Sequence, residues 1–201
     1  MENLSRNFYL QPTQTVARRL LGAILVHQEP LGTTTGMIIE TEAYDGENDL
    51  ACHARSGKTE RNQAMYLTGG HAYIYFTYGM HWMFNVVTGP QNYPAAVLIR
   101  AVKPIHGLDI MRVRRSPIEK KHWCDGPAKL TTAFHITNDL YGADLCNPAS
   151  SLVIKNGADI SDRLVRTTSR IGIGYAPEPW RSKPWRFLLA AENAPSLPDD
   201  L

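Results

Sequence analysis

Two glutamates one residue apart, Glu40 and Glu42 in the stretch IIETEAYDG (Ile38 to Gly46), are the residues of this 201-residue chain best suited to acid–base chemistry. On an extended strand alternate side chains share a face, which puts Ile38, Glu40, Glu42 and Tyr44 on one side. Met37, Ile39, Thr41 and Ala43 form the other, more apolar side that would meet a core. The two carboxylates would then stand roughly 7 Å apart, with room for a water or a sugar between them. The plain alternative is a solvated face. Further along, YIYFTYGMHWMFNVV (Tyr73 to Val87) crowds aromatics around Gly79. Tyr73 and Tyr75 fall on one strand face, Ile74 and Phe76 on the other. Tyr78 stands directly before the glycine, where a chain can bend sharply. A tyrosine exposed at such a bend needs cover, and stacked nucleobases supply it in proteins that grip distorted DNA. Core or rim packing is the commoner use of strand aromatics. Asn85, inside an otherwise apolar run, needs hydrogen-bond partners if buried.

Other chemistries are excluded on spacing. His27-x-Glu29 has no C-x-x-C beside it, so the zinc-deaminase pattern is missing. Cys52 and His53 are adjacent, and adjacent side chains on extended backbone point apart. Cys52, Cys124 and Cys146 are too few and too scattered for a disulfide framework, which fits a reduced intracellular setting. GIGYA (Gly172 to Ala176) lacks the third glycine of a dinucleotide loop, and Pro177 follows at once. The polar start from Met1 to Gln14 does not read as a signal peptide, and Leu20 to Val26 is too short to span a bilayer. A cytoplasmic protein without membrane contact is expected, nucleoid-associated if the source is bacterial. The net charge of +2 does not announce a nucleic-acid partner. Its distribution says more: Arg112, Arg114, Arg115, Lys120 and Lys121 stand against a single Glu119, either as a phosphate-contacting patch or as a solvated helix.

The length suits one domain with a substantial core. Val16, Ala17, Leu20 and Leu21 recur at helical spacing, with Pro12 in the first turn and Gly22 as a stop. Strands are predicted at Ala23–Gln28, Thr35–Tyr44, His71–Tyr78, His81–Thr88 and Ala95–Val102, and short late ones at Ser151–Asn156 and Arg186–Ala190. Gly107–Arg115 and Gly126–Ile136 read as helices. The polar segment Asp45–Gly70 is long for a passive connection and should carry short helices or function. The pattern is α+β: one domain over residues 1–190 with a curved, mostly antiparallel sheet, surrounding helices and a hairpin at Tyr78-Gly79. Residues 191–201 read as a loose C-terminal tail.

Seven stretches follow one order: ETEAY, His53 within ACHARSG, RNQAMY, YIYFTYGMHWMFNVV, VLIRAVKPIHGL, GPAKL and RIGIGY. In order and wording they closely resemble the alkyladenine (3-methyladenine) DNA glycosylase family, from about Ala17 to Phe187. The resemblance implies a single domain whose protruding β-hairpin enters the minor groove of double-stranded DNA. It implies excision of alkylated or deaminated purines by base flipping, by a monomer without metal or cofactor, leaving an abasic site. On matching positions, Glu42 would activate the attacking water and Arg100 would hold the backbone and water site beside it. Tyr44, His53 and Tyr75 would wall the base pocket, and Ala43 and His53 would offer backbone groups to the base edge. Asn85 would press on the purine edge where guanine carries its amino group. Tyr78 would intercalate, with Met80 against the opened groove, and the basic run would contact phosphates. In RSGKTERN, Glu60 takes a position where many relatives have proline, which leaves loop rigidity and substrate range open. Two other readings stand beside this one: a carbohydrate glycosidase using Glu40 and Glu42, and a non-catalytic damaged-DNA-binding module.

Overall fold

The structure, a computed structural model, describes residues 1–195. Its elements in chain order are α1 (Arg6–Tyr9), α2 (Thr13–Arg19), β1 (Ile24–Glu29), β2 (Gly32–Asp45), β3 (Ala72–Thr77), β4 (His81–Thr88) and β5 (Ala95–His106). There follow α3 (Leu108–Arg115), α4 (Pro127–Phe134), β6 (Leu152–Lys155), β7 (Val165–Thr168) and β8 (Arg186–Leu189). The strands form one antiparallel sheet in the order β3-β4-β5-β2-β1-β6, with β8 pairing to β2 and β7 to β8. The β-branched and aromatic runs that read as strands all pair, and β7, not predicted from the sequence, pairs as well. Asp45–Gly70 does contain short helices, single 3-10 turns at His53–Ser56 and Gln63–Tyr66. The core gathers Val16 and Ala17 from α2, Met111 from α3 and Phe134 from α4 onto Ile24, Ile38, Phe84 and Ile99 of the sheet. Pro127 opens α4 at a position where its missing N–H costs nothing. Among the described residues no helix is long and apolar enough to cross a membrane.

Two features of β2 place the glutamates. The strand is 14 residues long, and its partner on one side changes from β1 to β8 along its length. Opposite β5 the register slips twice: Ile38 faces Val102, Glu40 faces Ala101, and Thr41 faces Ile99. Ile39 and Arg100 are thus the unpaired residues of paired bulges. A bulge bends the strand and re-aims a side chain, and it resets which residues share a face. The strict alternation expected from Ile38 to Tyr44 therefore fails at Ile39. Ile38 packs in the core with Met37, not beside the glutamates.

The C-terminal end also differs from expectation. Ala191–Asn193 form a 3-10 turn, Ala194 is buried, and its carbonyl accepts a hydrogen bond from Lys103 Nζ at 3.1 Å. The ordered unit therefore runs past residue 190. The remainder of the expected tail, 196–201, lies outside the described residues.

Candidate active site

Glu42 lies between β5 and β8, paired in register with Leu98 on one side and Arg186 on the other. Its side chain is wholly buried, which overturns the solvated-face alternative. Oε2 accepts from Tyr44 Oη at 2.9 Å and Arg100 Nη1 at 3.4 Å, and Oε1 accepts from the Ile171 N–H at 2.7 Å. Arg100, re-aimed by its bulge, also donates from Nε to Glu40 Oε1 at 2.6 Å. Arg186 Nε donates to that same oxygen at 2.7 Å. The two carboxylates do share a face, as the spacing predicted, but a guanidinium bridges them. Burial pushes the Glu42 pKa up from its ordinary value, opposed by Arg100, the Ile171 amide and the Tyr44 hydroxyl. The result is a carboxylate more basic than a free glutamate.

Beside this carboxylate opens a cavity of about 360 Å³, near the low end of small-ligand pockets, ~300–1,000 Å³. Tyr44, His53, Tyr75, Asn85, Arg100 and Ile171 all line it. Three partners of Glu42 are therefore wall residues, and the carboxylate sits directly behind them. Tyr73 and Tyr75 share the cavity face of β3, as expected, with ring centroids 5.4 Å apart. His53 meets Tyr75 edge-on at 4.5 Å, and its Nδ1 is 2.9 Å from Tyr73 Oη. Burial lowers the His53 pKa to about 4, with help from Arg61 and Arg55, so the ring is neutral near pH 7. Asn85 is buried and donates from Nδ2 to the Tyr73 carbonyl at 3.1 Å. It thus satisfies the structural demand expected of it while still facing the cavity.

The hairpin between β3 and β4 projects Tyr78, 83% exposed, and Met80, 67% exposed. Met80 N–H closes a turn onto the Thr77 carbonyl at 3.2 Å, with φ of +51° at Tyr78 and +67° at Gly79. Positive φ at both central residues is the type I′ pattern, whose preferred sequence is Asn-Gly. A tyrosine there is strained and uncovered.

Two expected assignments change, and a third narrows. Ala43 is buried, its N–H donates to the Trp185 carbonyl at 2.9 Å, and its own carbonyl accepts from Arg170 at 2.9 Å. Its N–H is therefore spent within the fold and is not offered to a base edge. The His53 carbonyl accepts from Asn62 Nδ2 at 3.1 Å, which leaves its N–H as the backbone group open to a base edge. The basic run divides. Arg112, Lys120 and Lys121 are exposed, whereas Arg114 pairs with Glu29 at 2.9 Å and donates to the Ala133 carbonyl at 3.2 Å. Arg115 is also half-buried. The reason is helical: Arg114 and Arg115 follow Met111 by three and four residues and share its inward face. Residues the sequence left unmarked are Arg186, which clamps Glu40, and the buried pair of Arg170 with Asp49. Ile171 contributes through its backbone, for which no side-chain signal exists.

Comparison with known proteins identifies relatives over nearly the whole chain. Residues 7–193 match the family model described as methylpurine-DNA glycosylase. A relative from Methanocella arvoryzae is 47% identical over 93% of this chain and 92% of its own length. One from Chlamydia felis is 50% identical over 90% and 93%, and one from Chlorobaculum parvum 44% over 96% and 90%. All three are described as candidate 3-methyladenine DNA glycosylases.

Proposed function

The chain belongs to the methylpurine-DNA glycosylase family, and from that premise we propose that it flips damaged purines out of duplex DNA and hydrolyses their N-glycosidic bond with a water activated by Glu42. The observation that carries this reading is the buried Glu42 carboxylate behind an aromatic-walled cavity. A carboxylate has about four acceptor positions; three are taken by Tyr44, Arg100 and Ile171. The fourth, on Oε1, is the position we assign to the attacking water. As the bond from the sugar to the base nitrogen breaks, the sugar gains cationic character, and the buried anion stabilises it. The water oxygen adds to the sugar carbon and its proton passes to Glu42. Single-turnover release of 3-methyladenine from methylated duplex DNA, lost in Glu42→Gln, tests the assignment. Such release also separates the enzyme from a non-catalytic damage-binding module. Family membership removes the carbohydrate-glycosidase reading, and Glu40, with two guanidiniums on one oxygen, is tied down as a structural anion.

The cavity walls supply recognition. Tyr44, Tyr75 and the neutral His53 offer stacking surface to a flipped base, best suited to the electron-poor ring of an alkylated purine. Asn85 stands at the wall where a guanine amino group would intrude. Asn85→Ser shortens that side chain and should permit detectable release of normal guanine, or a gain on 7-methylguanine, with other substrates less affected. A parallel loss on all substrates would assign Asn85 to its bond with the Tyr73 carbonyl alone.

DNA contact by the exposed part of the basic run should show in salt dependence, because each phosphate contact releases a counterion and adds about 0.9 to the slope of log affinity against log salt. Neutralising Arg112, Lys120 and Lys121 together should flatten the slope and weaken damaged and undamaged duplex alike. Arg114→Gln should leave the slope unchanged and lower stability instead, because it strips Glu29 of a partner. An unchanged slope in the triple variant would place the run away from DNA.

A further inference from the structure

We propose that the buried Arg170–Asp49 pair is the positioning device of this active site: it locks together the two loops that flank the cavity and thereby holds the Ile171 N–H on Glu42. The inference rests on the reading of Glu42 as the water-activating base. Arg170 and Asp49 are 121 residues apart in sequence and both side chains are wholly buried. Asp49 organises the first loop, accepting from its own segment at the N–H of Asp45 (3.2 Å) and of Ala51 (3.0 Å). That loop leads directly into Cys52 and His53 of the cavity wall. Arg170 opens the second loop, which supplies Ile171, Gly172, Ile173 and Tyr175 to the cavity wall and packs Ile173 on Ala51 of the first loop.

The guanidinium joins four parts of the chain. Nη1 donates to Asp49 Oδ2 and to the Ala43 carbonyl at 2.9 Å. Nη2 donates to Asp49 Oδ1 at 2.9 Å and to the Trp180 carbonyl at 3.2 Å. Its Cζ lies 4.7 Å from the centroid of the Tyr44 ring and 5.1 Å from that of Trp185. Ala43 and Tyr44 follow Glu42 directly on β2, and Ile171 is the next residue after Arg170. One rigid fork thus fixes the strand next to the carboxylate and the amide that the carboxylate accepts. Only arginine presents donors in such a planar fork; lysine keeps the charge but not the geometry. An ion pair is costly to bury, and a fold needing only to fill this space has apolar options. The arrangement of its contacts around Glu42 is what the pair supplies.

Because the link runs through an amide bonded to the carboxylate, it has a signature beyond stability. The Ile171 N–H favours the charged form of Glu42, and loosening it should move the acid limb of the pH–rate profile to higher pH. The other groups facing Glu42 are Arg100 from β5, Glu40 and Tyr44 from β2, Tyr75 from β3, and Arg186 from β8 beyond Glu40. Of these, Tyr44 lies against the guanidinium, and loosening its hydroxyl from Glu42 would move the limb in the same direction.

The test compares Arg170→Lys, the double variant Arg170→Met with Asp49→Asn, Glu42→Gln and wild type. Single-turnover release of 3-methyladenine from methylated duplex is followed across pH, with active fractions set by burst amplitude. The double variant leaves no unpaired buried charge should Arg170→Lys fail to fold. A 1 Å misplacement costs ~10²-fold, so a loosened loop should lower the rate per active molecule on the order of 10-fold, with the acid limb displaced upward. An unmoved limb overturns the proposal, with or without a loss of rate. Wild-type release by Glu42→Gln would instead overturn the assignment of the base. Hydrogen exchange on the wild-type protein needs no variant: the Ile171 amide should exchange as slowly as those of β2, and exchange at open-loop rates overturns the proposal.

Discussion

Replacing Glu42 by glutamine should leave the fold and lesion binding intact and lower base release by ~10²–10⁴, the usual worth of a positioned general base. The fold should survive because the substitution is isosteric and removes a buried charge. The glutamine Oε1 still accepts from Ile171, and Arg100 keeps its bond to Glu40. The amide group meets Arg100 Nη1 as donor against donor, but at 3.4 Å that contact is already the longest of the three. What disappears is the proton acceptor. The pH dependence offers a second check of the same assignment. Burial raises the Glu42 pKa, so its anion is lost as pH falls through a value above that of free glutamate. Wild-type single-turnover rates should drop along that limb, and residual release by Glu42→Gln should not. Near wild-type excision by the variant, or an identical limb in both proteins, would move the base elsewhere.

Much of this site is legible in the sequence because its side chains announce themselves by type and parity. Tyr73 and Tyr75 alternate onto one face, an isolated Asn85 demands partners, and Tyr78 before Gly79 marks a bend. The order of seven short stretches then resembles one family across nearly the whole chain. What the sequence hides has specific causes. Strand parity cannot foresee a bulge, and the register slip at Ile39 and Arg100 falls where β2 exchanges β1 for β8. Ion pairs across great sequence distance, such as Arg170 with Asp49, have no local signal. A backbone donor such as the Ile171 N–H has no residue type at all. The assignment of Arg114 to the DNA-facing run is different in kind. Its three-residue spacing from Met111 is present in the sequence, and charge clustering outweighs helical periodicity in reading it.

Substitutions at Tyr78 should move stability and DNA grip in opposite directions. The side chain is 83% exposed and held at φ +51°, at the first central position of a turn that favours asparagine. A left-handed residue with an ordinary side chain costs roughly 1–2 kcal/mol, and here no packing offsets it. Tyr78→Asn should therefore stabilise the free protein by about 1 kcal/mol, read as a higher Tm or denaturation midpoint. Tyr78→Ala keeps its Cβ in the same conformation and should gain little. Both variants lose the ring. If that ring fills the gap left by a flipped base, both should bind lesion duplex more weakly by ~1–3 kcal/mol, the scale of one base–aromatic stack. The loss should shrink on single-stranded or mismatched lesions, where extrusion is already cheaper. Gel-shift affinity and thermal melting on the same preparations separate the two effects. Equal affinity for lesion duplex would remove Tyr78 from the DNA interface. Equal melting of Tyr78→Asn and wild type would show that the turn accepts tyrosine without strain. The combination expected here, a more stable hairpin that grips DNA less well, is what a residue retained against its own backbone preference should show.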